Sequence, residues 1–301
     1  MRAAAILGLG CSPKNLVPFQ RAAPHIEWHV GVPAATDKPD VILLFGGDGT
    51  IHRHLHALVQ LNLPVLIVPS GSGNDFSRSL GLSHMRNSVS AWRAFCSGSN
   101  NIRNIDLGAI TAMPATKRTA DPPTHGESPK YFATVAGLGL SSEVAARANS
   151  MPRWLRGHGG YALTAVPSIA TFAPFPMKIL APDDNQNWAT RSDAPTIVAA
   201  FANSSTFGDG MKIAPRAQLD DGQLDVCLIR SISPFKLFCL FPTVYFGRHL
   251  SMREVEYFQA ARVRVETEYP LDVYADGEFA CQTPVEIGVQ AAALKVVSPT
   301  Q

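Results

Sequence analysis

Charge is scarce in this chain of 301 residues: only 17% are Asp, Glu, Lys or Arg, below the quarter or so usual for a soluble domain. The 26 basic and 24 acidic residues leave a formal net charge of +2 and form no basic run, so the electrostatic footprint of a nucleic-acid binder is missing. Cysteine is sparse as well. Cys11, Cys96, Cys227, Cys239 and Cys281 are odd in number, widely spread and never in a Cys-x-x-Cys arrangement, which argues against a disulfide framework and against a zinc site of the usual spacing. The longest apolar stretch, Phe235 to Phe246, is interrupted by Lys236 and Pro242 and falls short of the roughly 20 residues that span a bilayer. No small-residue cleavage site follows the apolar start. A cytoplasmic protein without internal repeats is expected.

What the chain does have is 46% hydrophobic residues, 23 Gly and 23 Pro. Its length fits one large or two ordinary domains with many turns. In the first hundred residues, apolar runs of strand length (Ala3 to Leu7, Val41 to Phe45, Val65 to Val68) each end at glycines or a proline, the rhythm of buried strands in a parallel sheet. Ile51, Leu55, Leu58 and Val59 recur at helical spacing between the second and third runs, and a further helix is expected over Val89 to Phe95. Only ten residues separate the candidate strand Ile26 to Val30 from Val41, too few for the usual helical crossover, so a helix there is missing or vestigial. Residues Thr111 to Ser128 read as an exposed loop. From Tyr131 onward, short strand-like segments (Ile197 to Phe201, Leu224 to Ile229, Arg262 to Val265, Leu271 to Ala275) are joined by turn dipeptides such as Asp221-Gly222 and Asp276-Gly277. This pattern predicts a mainly antiparallel second domain, a sandwich, with helices over Glu143 to Asn149, Tyr161 to Ile169 and Phe235 to Phe246.

The strongest chemical signal is Gly46-Gly47-Asp48-Gly49-Thr50, where a buried strand gives way to a helix. An α/β sheet binds ligands at such a place, because glycines let phosphate oxygens approach backbone N–H groups. A carboxylate among phosphates calls for a cation, so Asp48 suggests Mg²⁺ nearby. A second small-residue loop, Pro69-Ser70-Gly71-Ser72-Gly73-Asn74-Asp75-Phe76, follows the next strand. Ser72 offers a donor to phosphate, while Asn74 and Asp75 offer ribose or hydrated-metal contacts or, in the plainer alternative, a cap for the following turn. His52, His54 and His56 alternate along the intervening helix without a third ligand at zinc spacing.

These two loops resemble those of the diacylglycerol kinase catalytic-domain family, which includes bacterial lipid kinases and sphingosine kinases. The glycine-aspartate-glycine-threonine loop is complete, and Pro69 to Phe76 meets the family's P-x-G-T-x-N-D-F with Ser72 in place of threonine. The likeness continues through Ile105-Asp106-Leu107-Gly108, Val135-Ala136-Gly137-Leu138-Gly139 with Glu143, and a long string from Ala202-Asn203 to Asp225. It spans roughly residues 40 to 300.

The resemblance implies an α/β N-terminal domain with a parallel sheet over residues 1–108 that holds the nucleotide. It further implies a mainly antiparallel β-sandwich over 109–288 that holds a lipid substrate, and a segment 289–301 returning to the first domain. It implies an ATP- and Mg²⁺-dependent lipid kinase that passes the γ-phosphoryl group to a diacylglycerol-like or sphingoid-like hydroxyl. The nucleotide would contact Gly46, Gly47, Asp48, Gly49, Thr50, Ile51, His52, Gly71, Ser72, Asn74 and Asp75. A structural Mg²⁺ would be held by the Asp221 carboxylate with the main-chain carbonyls of Gln218 and Gln223. Glu278, or else Asp276, would take the proton from the acceptor hydroxyl, with Asp48 beside the phosphates. Transient contact with a membrane surface follows from the substrate class, and neither the individual lipid nor a homodimer is specified. Two departures stand out: Arg53 occupies a position that is acidic in many members, and Leu7 to Lys14 replaces the usual N-P-x-x-G loop. An NAD kinase relative and a non-catalytic lipid- or nucleotide-binding relative are the alternatives.

Overall fold

The computed structural model describes residues 1–34, 36–114, 128–150, 167–169 and 172–300. The chain divides into two compact units, 1–106 with 291–301 and 107–290. Most of the loop expected over Thr111 to Ser128 and of the helix expected over Tyr161 to Ile169 lies outside the described residues.

Unit 1 is an α/β layer. Its elements run β1 (Arg2–Leu7), α1 (Val17–Ala22), β2 (Glu27–Val30), β3 (Val41–Gly46), α2 (Asp48–Leu61), β4 (Val65–Pro69), α3 (Asp75–Ser79) and α4 (Met85–Cys96). The strands pair in parallel in the order β2-β1-β3-β4. All six residues of β3 are buried, because a central parallel strand carries helices on both faces and so reads as a continuous apolar run. In α2, Ile51, Leu55 and Leu58 form the buried stripe, and Asn62 ends the helix in the left-handed conformation at φ 50°. Trp92 of α4 donates its ring N–H to the Phe19 carbonyl at 3.1 Å, and Phe19 meets Phe45 edge-on at 5.3 Å between centroids. Burying each such side chain contributes about 1.5–3 kcal/mol.

The short connection from β2 to β3 carries no helix in its described residues. It crosses from one side of β1 to the other, and Asp40 fastens its end, accepting the Arg2 N–H at 2.7 Å and donating its own N–H to the Arg2 carbonyl at 2.9 Å. Helices α1 and α3 are only six and five residues long, too short for a periodic apolar pattern to mark them in the sequence.

Unit 2 is built mainly from antiparallel strands. Its elements are β5 (Ile102–Ala112, beginning in unit 1), β6 (Lys130–Phe132), β7 (Val135–Gly139), α5 (Leu140–Ser150), β8 (Phe175–Pro182), β9 (Trp188–Ala202), β10 (Leu224–Arg230), α6 (Pro234–Val244), β11 (Val255–Ala260), β12 (Arg262–Thr267), β13 (Asp272–Ala275), β14 (Glu278–Gln282) and β15 (Val285–Val297). Strand order runs β14-β13-β7-β9-β8-β12-β15, with β10 joining β9 to β11 and β6 pairing with β5. The strands serve two cores. Leu224, Val226 and Leu228 of β10 join Phe201, Val263 and Ile287 in one, while Cys227 and Ile229 point the other way to Leu237, Leu240 and Val244 of α6. Period-two alternation with both faces buried explains the apolar run Leu224 to Ile229. Past residue 290, β15 belongs to unit 1, where Val296 pairs in parallel with Val65 of β4.

Candidate phosphate-binding loops and acidic turns

In unit 1, the loops after β3 and β4 are locked together by their glycines. A Cβ on Gly47 would lie 2.8 Å from the Gly71 Cα, and one on Gly71 would lie 2.6 Å from the Gly47 Cα. Real side chains never approach backbone so closely, so the two loops cross at a point where only glycine fits. Gly46 and Gly8 are excluded from bearing a side chain by Thr50, whose methyl and hydroxyl would stand within 2.9 Å of either added carbon. Gly73 lies against Asp48, with the Oδ2 atom 2.9 Å from a notional Cβ.

Asp48 completes the lock. Its Oδ2 accepts the Asp75 N–H and its Oδ1 the Phe76 N–H, each at 3.2 Å, so the carboxylate holds the first main-chain donors of α3. Asn74 sits in the left-handed conformation at φ 58° and clasps Gly71 from both sides, accepting its N–H at 3.0 Å and donating to its carbonyl at 2.6 Å. The Asp75 side chain is buried and paired with Arg78 at 2.7 Å. Of the expected nucleotide contacts, Asp48, Asn74 and Asp75 thus shape the second loop. Ile51 is buried in the core.

Gly49 differs from its neighbours. It is exposed in the first turn of α2, and a Cβ there would meet nothing within 4 Å. Glycine in a helix costs about 0.5–1 kcal/mol relative to alanine, and among the described residues no side chain stands where a Cβ at Gly49 would be. In the second loop, Ser72 is exposed. On α2, burial and then the Arg53 charge push the His54 ring below its ordinary value, while Arg53 itself is exposed.

In unit 2, the turn joining β13 to β14 places Asp276 at φ 50° and Gly277 at φ 84°, the left-handed pair that a two-residue hairpin requires. The Asp276 carboxylate accepts the N–H groups of Ala133 and Thr134 at 2.8 Å each, and the Thr134 hydroxyl at 2.6 Å. Asn149 donates to the Gly277 carbonyl at 2.6 Å. Asn203, fully buried, donates its own N–H to the Thr134 carbonyl at 2.8 Å and its side-chain amide to Ala133 at 3.1 Å. Thr134, Asn149 and Asn203 therefore fasten this turn in place. Asn203 stood inside the motif string, but nothing in the sequence singled out Thr134 or Asn149, whose partners lie well over a hundred residues away. Glu278, two residues after Asp276, is exposed. With Asp272 it adds negative charge near Tyr274, whose hydroxyl is pushed up by burial first and by the two carboxylates next.

Elsewhere in unit 2, Asp221 closes a local turn by accepting the Gln223 N–H at 3.0 Å and takes the Gln259 amide at 3.2 Å. Gln259 also reaches Asp225 at 3.3 Å, and Tyr257 donates its hydroxyl to Asp225 at 2.6 Å. Burial raises the Asp225 carboxyl above its ordinary range against the pull of these hydrogen bonds, and the Asp221 charge raises it further. Among the described residues no three His, Cys, Asp or Glu side chains converge. A cation at 218–223 would draw on main-chain carbonyls beside the Asp221 carboxylate. That set is oxygen-only and next to a second, buried carboxylate, which suits a hard divalent ion.

Two family models match the chain: the diacylglycerol kinase catalytic domain over residues 23–110 and the YegS C-terminal NAD kinase beta sandwich-like domain over residues 134–298. A protein named diacylglycerol kinase from Mycobacterium tuberculosis (strain ATCC 25618 / H37Rv) is 33% identical over 275 residues, covering 91% of this chain and 82% of that one. The chain belongs to the family of diacylglycerol kinases and YegS-like lipid kinases. Another member of this lipid kinase family, a diacylglycerol kinase of Bacillus subtilis (strain 168), is 24% identical over 276 residues, 91% of this chain and 82% of its own. The crystal structure of a putative diacylglycerol kinase from Bacillus anthracis str. Sterne shares the fold, with a TM-score of 0.70 at 23% identity over 99% of this chain and 94% of that one.

Proposed function

We propose that the protein is an ATP-dependent lipid kinase in which the loops of unit 1 hold the triphosphate and Glu278 is the general base. The observation that carries the nucleotide assignment is Gly49. Gly46, Gly47, Gly71 and Gly73 are explained by packing within the chain, whereas Gly49 is exposed in a helical turn where the fold has room for a side chain. A phosphate drawn to the N–H groups that open α2 accounts for a bare backbone at that point.

The two acidic candidates of the β13–β14 turn have different duties. Asp276 has three hydrogen bonds to residues 133 and 134 and is a positioning residue. Glu278 projects into solvent from the same turn and is the group available to a substrate. In the reaction, the acceptor oxygen forms a bond to the γ-phosphorus as the bond to the β,γ-bridging oxygen breaks, ADP leaves, and the acceptor proton passes to the Glu278 carboxylate. Such a transfer depends on position and charge neutralisation more than on covalent chemistry by the protein. Mg²⁺ bound with ATP supplies part of that neutralisation. A second, structural Mg²⁺ would be held by Asp221 with the carbonyls of Gln218 and Gln223.

The test is transfer of labelled γ-phosphate from Mg-ATP to a panel of extracted lipids, with Glu278→Gln protein alongside. A labelled lipid formed by the wild type and lost in the variant supports the assignment. ATP binding without label in any lipid would reject the kinase, and full activity in Glu278→Gln would reject the base.

A further inference from the structure

Helix α6 turns its large apolar groups in two directions. Leu237, Leu240 and Val244 are buried, while Phe235 is 77% exposed, Phe238 53% and, two residues past the end of the helix, Phe246 73%. Cys239 and Pro242 are exposed with them. Positions 235, 238, 239 and 242 lie at i, i+3, i+4 and i+7 of the helix, so they form one continuous stripe, which Phe246 extends into the turn that follows. All fifteen phenylalanines of the chain fall within the described residues, and of the four that are exposed, three stand on this stripe. Scattered apolar residues on a surface need no explanation, but a contiguous aromatic row does.

The margins of the stripe are basic. Lys236 and Arg253 both pair with Glu254, at 3.0 and 3.2 Å, and Arg248 is exposed just beyond Phe246. Across residues 236–254, three cations against one carboxylate leave an excess of two positive charges. Lys212, also exposed, donates its main-chain N–H to the Val244 carbonyl at the end of the helix.

We infer that the exposed face of α6, centred on Phe235, Phe238 and Phe246, is a docking surface for an anionic lipid bilayer. Aromatic rings seat at the headgroup level and basic side chains face the phosphates, the pattern of an interfacial helix. A second copy of the chain is a poorer occupant. A two-fold pairing of this stripe would bring Lys236 and Arg248 against their own counterparts with only Glu254 to compensate, whereas an anionic leaflet complements every one of them. The inference rests on the lipid-kinase reading only for what the docking accomplishes: delivery of the protein to a substrate that resides in a membrane.

The experiment is co-sedimentation of the full chain, without ATP, with vesicles of phosphatidylcholine alone or mixed with phosphatidylglycerol. The wild type should bind the mixed vesicles, and the binding should weaken as salt is added. Replacing Phe235, Phe238 and Phe246 together by serine should lower binding at least about tenfold, while a Lys236→Glu, Arg248→Glu double variant should lose its preference for the anionic vesicles. Because all these side chains are exposed, folding should be unaffected, which an unchanged melting curve would verify. Cys239 provides a site-resolved readout, since anionic vesicles should protect it from a thiol reagent when the modified peptide is identified by mass spectrometry. Unchanged binding by the serine variant, or an unprotected Cys239, would overturn the inference. So would absence of vesicle binding combined with a dimer that the serine substitutions dissociate. A protein that docks through α6 yet phosphorylates no lipid would refute the kinase and leave the docking surface standing.

Discussion

Asp48 and Asp276 make an instructive pair. Each is the acid of a glycine-flanked turn, and each directs both carboxylate oxygens at the N–H groups of another loop, Asp75 and Phe76 in unit 1, Ala133 and Thr134 in unit 2. Both would be placed among reacting groups by motif alone, and both are engaged in holding the backbone. The two turns differ in what they leave outward. In unit 1 it is main chain, at Gly49. In unit 2 it is a side chain, the Glu278 carboxylate. Main-chain N–H groups keep one charge state across pH and suit an anion, whereas a carboxylate is ionisable and can take a proton.

The sharpest way to break this comparison is to exchange the roles in unit 2. Glu278→Gln should lower kcat by roughly 10²- to 10⁴-fold, the range for loss of a general base, and leave the melting temperature unchanged. Asp276→Ala should act on the fold, destabilising it by about 3 kcal/mol, because two buried N–H groups lose a charged acceptor and alanine disfavours the left-handed conformation. Denaturant unfolding would measure it, and an Asp276→Ala protein of normal stability and no activity would reverse the two assignments.

In unit 1 the glycines should separate in the same manner. Gly71→Ala forces the crossing loops apart and should cost about 1–3 kcal/mol, the penalty of overpacking. Gly49→Ala should raise stability by about 0.5–1 kcal/mol while weakening ATP binding in calorimetry. Unchanged ATP affinity in Gly49→Ala would remove the reason for placing phosphate there.

The smallest effect concerns acid. Burial pushes His249 of unit 2, with no solvent exposure, below its ordinary value, so the folded state resists the proton that the unfolded state accepts. Its contribution to stability is present above about pH 6.5 and is lost as pH falls through the depressed folded value. A His249→Gln variant should flatten that slope in thermal unfolding, leaving the pull of the partly buried His54 in unit 1.

Much of this was legible in the sequence because it is written in local periodicity. The run Val41 to Phe45 reads as a doubly covered parallel strand, the Ile51-Leu55-Leu58 spacing as a helix, and Asp276-Gly277 as a two-residue hairpin turn; each depends on neighbours within a few positions. The lock between Gly47 and Gly71 and the bonds from Asp276 to residues 133 and 134 were not legible, because loop proximity is a property of strand order. The sequence marked Phe235 to Phe246 as apolar. Which phenylalanines face outward was decided by packing of Leu237, Leu240 and Val244 against the core.

The chain's order of residues by itself determined the two kinds of sheet, the family motifs and the location of the glycine turns, since these follow from backbone preference and hydrophobic spacing. Only the tertiary structure decided which glycines the fold requires and which it does not. It alone separated the aspartates that fasten loops from the glutamate left exposed beside them, because those bonds arise from contacts between segments far apart in the chain.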